Sequence, residues 1–482
     1  MKDATYYAEL IRKKEVTPEE LIDSVVRKAR EHQDLHAFTE LEPEFSQQLL
    51  QTKKSKVSQQ PFYGVPFPIK DLGQNREGMA QTSGSRLFKG LKASETNSYM
   101  ARIEDIGFVP LGVTTAPEFG FKNISDPACY NTTKNVWNKD YHAGGSSGGA
   151  ASVVASGISP IAGASDGGGS IRIPASFSGL IGMKPSRGRI VTGPSSWRDW
   201  QGASVNFALT VSMRDTARLL DLLKPTNQIS PFLMPQEHLP EKGRPLKIAV
   251  CVDSPIDSFV SDEAKLAVGN MVSLLESMGH SVEAIPYPVD GARLIRSYYK
   301  MNGGETANMM AGISQAIGRE LTRDDMEPMS WTLYQYGLQL SAADYASSFN
   351  EWDEATFKME TLFEEYDLFL SPTATGIAPK IDEDLQSDKI REEMTRASEL
   401  DKEELASLVY DMFEKSLAIT PYTQLANLTG QPAISLPTHV TKQEEMPIGV
   451  QFMASKGNDQ LLIDVGVLIE ALGAFILPKA YR

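Results

Sequence analysis

The chain of 482 residues has only two cysteines, Cys129 and Cys251. Two cysteines exclude a disulfide framework and a cysteine-based zinc site, and so few of them are typical of a reducing compartment. No block of lysine and arginine is present, and the formal net charge is −15, so nucleic acid is not an expected partner. The N-terminus lacks the apolar segment of a secretory signal. We therefore predict a cytoplasmic protein.

Long apolar runs are also missing. One long uncharged stretch, residues 144–165, consists mainly of glycine, alanine and serine. Such small side chains interact poorly with lipid, so we predict interior packing rather than a membrane span. The chain is 41% hydrophobic and 23% charged, which is typical of a globular domain with a large core.

Strand patterns and helix patterns alternate along the chain, as in α/β proteins with a parallel or mixed sheet. The sequence Thr17-Pro18-Glu19-Glu20 predicts a helix start, with a cap, a proline and a capping-box acid. A polar segment at 51–60 predicts a loop. Apolar runs predict strands at 65–69, 108–113, 158–164, 246–252, 281–285, 433–436 and 447–452. Helical periodicity or composition predicts helices at 3–30, 98–107, 147–157, 261–279 and 459–472.

Several serine-centred patterns point to nucleophilic catalysis, and they disagree on the nucleophile. Both Ser146 and Ser165 fit G-x-S-x-G, which requires a strand before the serine and a helix after it. No strand is predicted before Ser146, and Ser165 is followed by three glycines and Pro174, which are poor helix formers. Ser297 and Lys300 fit S-x-x-K, but the K-[ST]-G element of that enzyme class is absent.

Ser170 is the remaining candidate and follows Gly167, Gly168 and Gly169 directly. Consecutive glycines let several backbone N–H groups converge, because no Cβ atom restricts the dihedral angles. Such donors stabilise the oxyanion of an acyl-transfer intermediate. A plain glycine-rich turn and a phosphate-binding nest are alternative interpretations.

A serine nucleophile also needs a base. Lys70 ends the apolar run 65–69, and burial there would lower its pKa toward the range in which it accepts a proton. A lysine that extends to solvent from a strand end is the alternative. The residue pattern alone thus predicts a serine hydrolase with its base undecided.

Longer motifs resemble the amidase signature family. The stretch GGSSGGAASVVASGISPIAGASDGGGSIRIPAS at 144–176 is similar to that family's signature from end to end. Three further segments match in order: GVPFPIKD at 64–71, GMKPS at 182–186 and NLTGQPA at 427–433. The resemblance covers nearly the whole chain.

The family implies a fold and a role for each matching residue. The fold is a single large α/β domain over 1–482, with a central mixed sheet covered by helices on both faces. It divides into an N-terminal helical region at 1–60, the catalytic signature core at 61–215 and a mainly helical insertion at 291–410. Lys70 aligns with the base, Ser146 with a relay serine that follows a cis peptide bond, and Ser170 with the nucleophile. The oxyanion donors align with the amides of Gly167, Gly168, Gly169 and Ser170. Asp166 and Arg172 also match, and we expect them to form an ion pair that holds the glycine turn.

The resemblance implies hydrolysis of a small-molecule amide, linear or cyclic, through an acyl-enzyme on Ser170, with no metal or organic cofactor. We expect a monomer or homodimer without nucleic-acid or membrane partners. The alternatives are the A subunit of a tRNA-dependent amidotransferase, whose tyrosine-rich stretch is absent here, and a non-catalytic ligand binder. Residues 305–346 more loosely resemble the branch that contains cyclic-amide hydrolases. Trp137, His142, Trp197 and Trp200 are the expected lining of the acyl pocket.

Overall fold

The strands form two sheets in a computed structural model, which describes residues 1–53, 60–241 and 243–482. The strands are β1 (Phe38–Glu40), β2 (Pro66–Lys70), β3 (Val109–Thr114), β4 (Ala162–Asp166), β5 (Ile181–Lys184), β6 (Val205–Thr210), β7 (Lys247–Val250), β8 (Ser281–Ala284), β9 (Leu368–Pro372), β10 (Ala433–Val440) and β11 (Pro447–Met453). The smaller sheet has the order β1-β3-β2 and the larger β4-β6-β5-β10-β11-β9-β7-β8. The β2–β3, β7–β8 and β7–β9 pairs are parallel and the other strand pairs antiparallel, so both sheets are mixed.

The helices largely follow the predicted segments. They are α1 (Ala4–Arg12), α2 (Pro18–Glu31), α3 (Pro43–Lys53), α4 (Ser98–Asp105), α5 (Gly148–Ala155), α6 (Arg172–Ser178), α7 (Met213–Leu222), α8 (Asp262–Ser277), α9 (Gly291–Ile317), α10 (Pro328–Gln339), α11 (Ala342–Glu365), α12 (Asp388–Thr395), α13 (Lys402–Ile419), α14 (Gln424–Thr429) and α15 (Asp459–Ala471). The predicted start of α2 is confirmed, because Thr17 and Glu20 form a complete capping box. Of the loop predicted at 51–60, residues 51–53 belong to α3, and 54–59 lie outside the described residues.

The larger sheet separates two hydrophobic clusters. Side chains of successive strand residues point to opposite faces, and the clusters follow that alternation: Leu368 and Leu370 belong to one and Phe369 to the other. The first cluster includes residues of α8 and α15. The second includes residues of α9, α10 and α13. The prediction of a mixed sheet with helices on both faces is confirmed.

One expectation about local structure is wrong. The glycines and Pro174 do not prevent a helix, since α6 begins at Arg172 and places Pro174 in its first turn. Proline is tolerated there because the N–H that it lacks would have no partner within the helix. The region 291–410 is mostly helical, but β9 lies within it and pairs with both β7 and β11. The region is thus mainly helical, as expected, and contributes one strand to the larger sheet.

In the parts of the chain that the structure describes, no helix has both the length and the apolar character that crossing a bilayer requires.

Candidate active site

Lys70 lies at the C-terminal end of β2, and its side chain is buried, with 1% of the residue exposed. Its Nζ atom is 2.8 Å from Ser146 Oγ, 2.8 Å from Ser165 Oγ and 3.3 Å from the Ser165 carbonyl oxygen. Burial lowers the pKa of Lys70 to about 7, although the nearby Asp166 carboxylate acts in the opposite direction. An amine with that pKa can accept a proton near neutral pH.

Ser146 lies in the turn before α5 and is also buried. The Gly145–Ser146 peptide bond is cis, as the resemblance implied. A Cβ atom on Gly145 would lie 2.6 Å from the backbone nitrogen of Ile124. Glycine at 145 therefore allows the close backbone approach that sets the position of Ser146 opposite Lys70.

Ser170 lies in the short connection between β4 and α6. Together with Ser146 and Ser165 it lines a cleft of about 1090 Å³, which we call the main cleft. Ser170 is partly exposed, and its Oγ atom has no hydrogen-bond partner among the described residues. The structure therefore brings the predicted relay serine and nucleophile to one cleft, and the buried predicted base is hydrogen-bonded to the relay serine.

The predicted Asp166–Arg172 ion pair is confirmed, and both side chains are completely buried. Arg172 donates from Nε to Asp166 Oδ2 at 3.0 Å and from Nη2 to Oδ1 at 2.9 Å. Burial raises the pKa of Asp166, but the charge and hydrogen bonds of Arg172 and a hydrogen bond from Asn427 outweigh it, so the pKa lies well below its usual range. Asp166 is therefore an anion at neutral pH.

Asp166 also binds backbone amides of the turn that carries Ser170. The N–H of Gly169 donates to Oδ1 at 2.7 Å, and the N–H of Ile171 donates to Oδ2 at 3.1 Å. Of the four predicted oxyanion donors, Gly169 therefore already has an acceptor. The amides of Gly167, Gly168 and Ser170 have no acceptor among the described residues. Gly167 lines the main cleft, and Gly168 lines a small cavity next to it.

Gly169 has a φ of +127°, and a Cβ atom there would collide with Thr423 Oγ1. The sharp turn before Ser170 thus requires glycine at this position for conformation as well as for space.

Two partners of Arg172 were missed in the sequence. Its Nη1 donates to Gln451 Oε1 at 2.7 Å and its Nη2 to Asn427 Oδ1 at 2.7 Å. Asn427 in turn donates to the Asp166 carbonyl oxygen at 3.0 Å. Asn427 opens the NLTGQPA segment that resembles the family, so the motif contained a signal for it; Gln451 lies in a strand with no comparable signal.

The expected acyl-pocket residues divide into two groups. Trp197 and Trp200 line the main cleft. Trp137 and His142 are not among the residues that line it. The indole of Trp137 donates to the Ser178 carbonyl oxygen at 2.8 Å and packs against Gly179, which holds the ring in the core.

His142 lines a separate chamber of about 210 Å³. Burial, with a smaller effect of the Lys122 charge, lowers the pKa of His142 to about 4. Its imidazole is therefore neutral at physiological pH.

Comparison with known proteins gives the family. The family model described as Amidase matches residues 20–463. The chain belongs to the amidase family. Its order of motifs, from the Lys70 segment to the NLTGQPA segment, is thus that of an amidase signature enzyme.

Two curated relatives of this amidase-family chain span almost all of its length. A lipoamidase of Enterococcus faecalis is 36% identical over 466 residues, which are 96% of this chain and 62% of that protein. A 6-aminohexanoate-cyclic-dimer hydrolase of Paenarthrobacter ureafaciens is 31% identical over 483 residues, or 97% of this chain and 94% of that protein. The solved structure of a 6-aminohexanoate cyclic dimer hydrolase complexed with substrate has a TM-score of 0.87 at 30% identity and covers 100% of this chain and 99% of the other. The predicted similarity to the cyclic-amide branch is confirmed at the level of sequence and fold.

Proposed function

We propose that the chain hydrolyses a carboxylic amide through an acyl-enzyme on Ser170, with Lys70 as the base and Ser146 as the relay between them. The observation that carries the proposal is the buried Lys70 amine, 2.8 Å from the Oγ atom of Ser146, which lines the same cleft as Ser170. A lysine that only extended to solvent would be neither buried nor bonded to two serine hydroxyls.

The reaction follows from these positions in two halves. Neutral Lys70 accepts the proton of Ser146, Ser146 accepts that of Ser170, and Ser170 Oγ bonds to the amide carbon. The oxyanion accepts hydrogen bonds from the free amides of the glycine turn. The relay returns the proton to the leaving nitrogen, the carbon–nitrogen bond breaks, and water then cleaves the Ser170 ester.

The walls of the main cleft support a substrate with a sizeable apolar group. Aromatic rings line it, at Phe88, Phe119, Phe121, Trp197, Trp200 and Tyr298. Trp200 stacks on Phe121 with ring centroids 6.1 Å apart and meets Tyr298 edge to face. The names of the relatives, lipoamidase and 6-aminohexanoate-cyclic-dimer hydrolase, denote amides much larger than acetamide. We therefore propose that hexanoyl amides are better substrates than acetyl amides.

The test is labelling with a fluorophosphonate, followed by mass spectrometry of the modified peptide. The label is expected on Ser170 and is expected to disappear in Ser170→Ala. Ser165→Ala is the matched control, because Ser165 lines the same cleft and also contacts Lys70; it should keep the label. Labelling of Ser165, or equal labelling of wild type and Ser170→Ala, would refute the assignment. Hydrolysis of hexanoyl and acetyl 4-nitroanilides by the same variants tests the preference for larger amides.

A further inference from the structure

The space around Ser170 continues beyond the main cleft. A small cavity of about 50 Å³, which we call the back passage, shares Gly120, Phe121, Ser170 and Tyr298 with the main cleft. The His142 chamber of about 210 Å³, which we call the side chamber, shares Lys122, Asn123 and Ser416 with the back passage. Ser170 therefore lies between a wide cleft on one side and a narrow continuation on the other.

Polar atoms without partners cluster along this continuation. Four buried atoms have no hydrogen-bond partner among the described residues: Asn302 Oδ1, Gln424 Oε1, Asn123 Oδ1 and His142 Nδ1. Asn302 and Gln424 line the back passage, His142 lines the side chamber, and Asn123 lines both. Asn302, Gln424 and His142 are each less than a tenth exposed. A buried polar atom that lacks a partner costs about 1–3 kcal/mol, so a cluster of four indicates a ligand from outside the chain.

The free atoms of the amide side chains are hydrogen-bond acceptors. The amide nitrogen of Asn123 donates hydrogen bonds to the Ser416 carbonyl oxygen and to Thr420 Oγ1, at 2.8 Å each. The amide nitrogen of Gln424 donates a hydrogen bond to the Thr420 carbonyl oxygen at 3.0 Å. Both amides thus present their oxygen atoms, so the occupant must donate hydrogen bonds and must be small enough for a cavity of about 50 Å³.

We propose that the back passage and the side chamber form a water route that delivers the hydrolytic water to the Ser170 acyl-enzyme from the side away from the main cleft. Water is a small donor that bridges several polar groups, and it is a reactant for any amide. The inference rests on the proposed function, because it concerns the second half of that reaction.

Deacylation moves one proton from water along the relay and back to Ser170. The water oxygen bonds to the acyl carbon while the relay through Ser146 to Lys70 accepts one water proton. The bond between Ser170 Oγ and the acyl carbon then breaks, and the relay returns the proton to Ser170. The acid product leaves through the main cleft, which held the acyl group throughout.

The test replaces the free oxygen atoms with apolar groups of similar size in two separate variants, Asn302→Leu and Gln424→Met. The control is Ser348→Ala, because Ser348 Oγ is also buried and unpartnered among the described residues but lines neither cavity. Each protein is mixed rapidly with the 4-nitrophenyl ester of hexanoic acid. The initial burst measures acylation of Ser170, and the steady rate that follows measures deacylation.

We expect the burst rate constant to stay within about twofold and the deacylation rate to fall about tenfold, as for the loss of one good hydrogen bond to the reacting water. Added benzylamine, which is too large for the back passage and must enter by the main cleft, supplies a second readout. The ratio of amide to acid products should rise about tenfold in both variants and stay constant in Ser348→Ala.

After subtraction of the products formed without enzyme, the product ratio counts only molecules that formed an acyl-enzyme, so it remains valid if a variant folds poorly. An unchanged deacylation rate and product ratio in both variants would overturn the water route. The water route would also be overturned if the acylation and deacylation rates fell together while the amide-to-acid product ratio stayed unchanged, because that pattern indicates distortion of the whole site. Absence of fluorophosphonate labelling at Ser170 in the wild type would instead contradict the acyl-enzyme itself, which distinguishes the failure of the two proposals.

Discussion

The pH dependence of Ser170 reactivity follows from the environment of Lys70. With a pKa of about 7, about half of the Lys70 side chains are neutral at pH 7, whereas an ordinary lysine with a pKa of 10.5 is neutral in roughly one molecule in 3,000. Burial therefore increases the fraction of competent base by a factor on the order of 10³. The base works when deprotonated, so reactivity must rise with pH and level off above the pKa.

The assay is the second-order rate constant for fluorophosphonate labelling between pH 5 and pH 10. This rate reports on the activated nucleophile and does not depend on knowledge of the natural substrate. We expect a single rise with a midpoint near pH 7, which disappears in Lys70→Ala. His142→Asn is the control, because the pKa of His142 is about 4 and its ring lies outside the main cleft; the midpoint should not move. A rate that rises only above pH 9, or a midpoint near pH 7 that survives in Lys70→Ala, would refute the reasoning.

Three further predictions concern the turn that carries Ser170. Arg172→Met leaves the buried Asp166 charge without its cation and should lower the free energy of unfolding, measured by urea titration, by about 3–5 kcal/mol. The control Arg293→Met removes a half-exposed ion pair and should lower that free energy by at most about 1 kcal/mol. Equal losses in the two variants would contradict the stabilising role of Arg172. Because the folded pKa of Asp166 lies below its usual range, its contribution to stability is complete above about pH 4 and is lost as the pH falls through the folded pKa. Acid unfolding of Arg172→Met should therefore begin at a higher pH than that of the wild type, and an unshifted transition would argue against an anionic Asp166. In Gly168→Ala the new Cβ atom would lie 2.5 Å from Tyr298 Oη, and displacement of the amide should lower kcat/KM by about 10²-fold. In Gly312→Ala the new Cβ atom would meet nothing within 4 Å apart from its chain neighbours and the backbone of its own helix, so kcat/KM should stay unchanged.

The parts of the fold that the sequence predicted well have local causes. The start of α2 depends on Thr17 and Glu20, three residues apart, and that capping pattern is visible in any sequence. The strand that ends at Lys70 depends on one continuous apolar run. The helix α6 was missed because Pro174 and the glycines were interpreted as helix breakers, although a proline in a first turn costs no hydrogen bond. Strand β9 was missed because a short apolar run between long helices has no periodicity that distinguishes it from them.

In the candidate site, too, features with a local motif were predicted and contacts between distant parts of the chain were not. The resemblance supplied Lys70, Ser146 and Ser170; the structure places the two serines at one cleft and bonds Lys70 to Ser146. The resemblance also supplied the Asp166–Arg172 ion pair that holds the glycine turn. It did not supply the further bonds of Arg172 to Asn427 and Gln451, which are 255 and 279 residues away in the chain. Trp137 and His142 were expected to line the acyl pocket, but neither lines the main cleft. Their positions depend on how the connection before Gly144 packs, which no local pattern specifies.

The central claim is that Lys70, Ser146 and Ser170 act as one unit. The direct measurement is a double-mutant cycle on the rate of Ser170 labelling at pH 8, with Lys70→Ala, Ser146→Ala and the double variant. Residues that act as a unit have strongly non-additive effects, so the double variant should lose about as much rate as either single variant. Losses that multiply in the double variant would mean that Lys70 and Ser146 act independently, and would contradict the account.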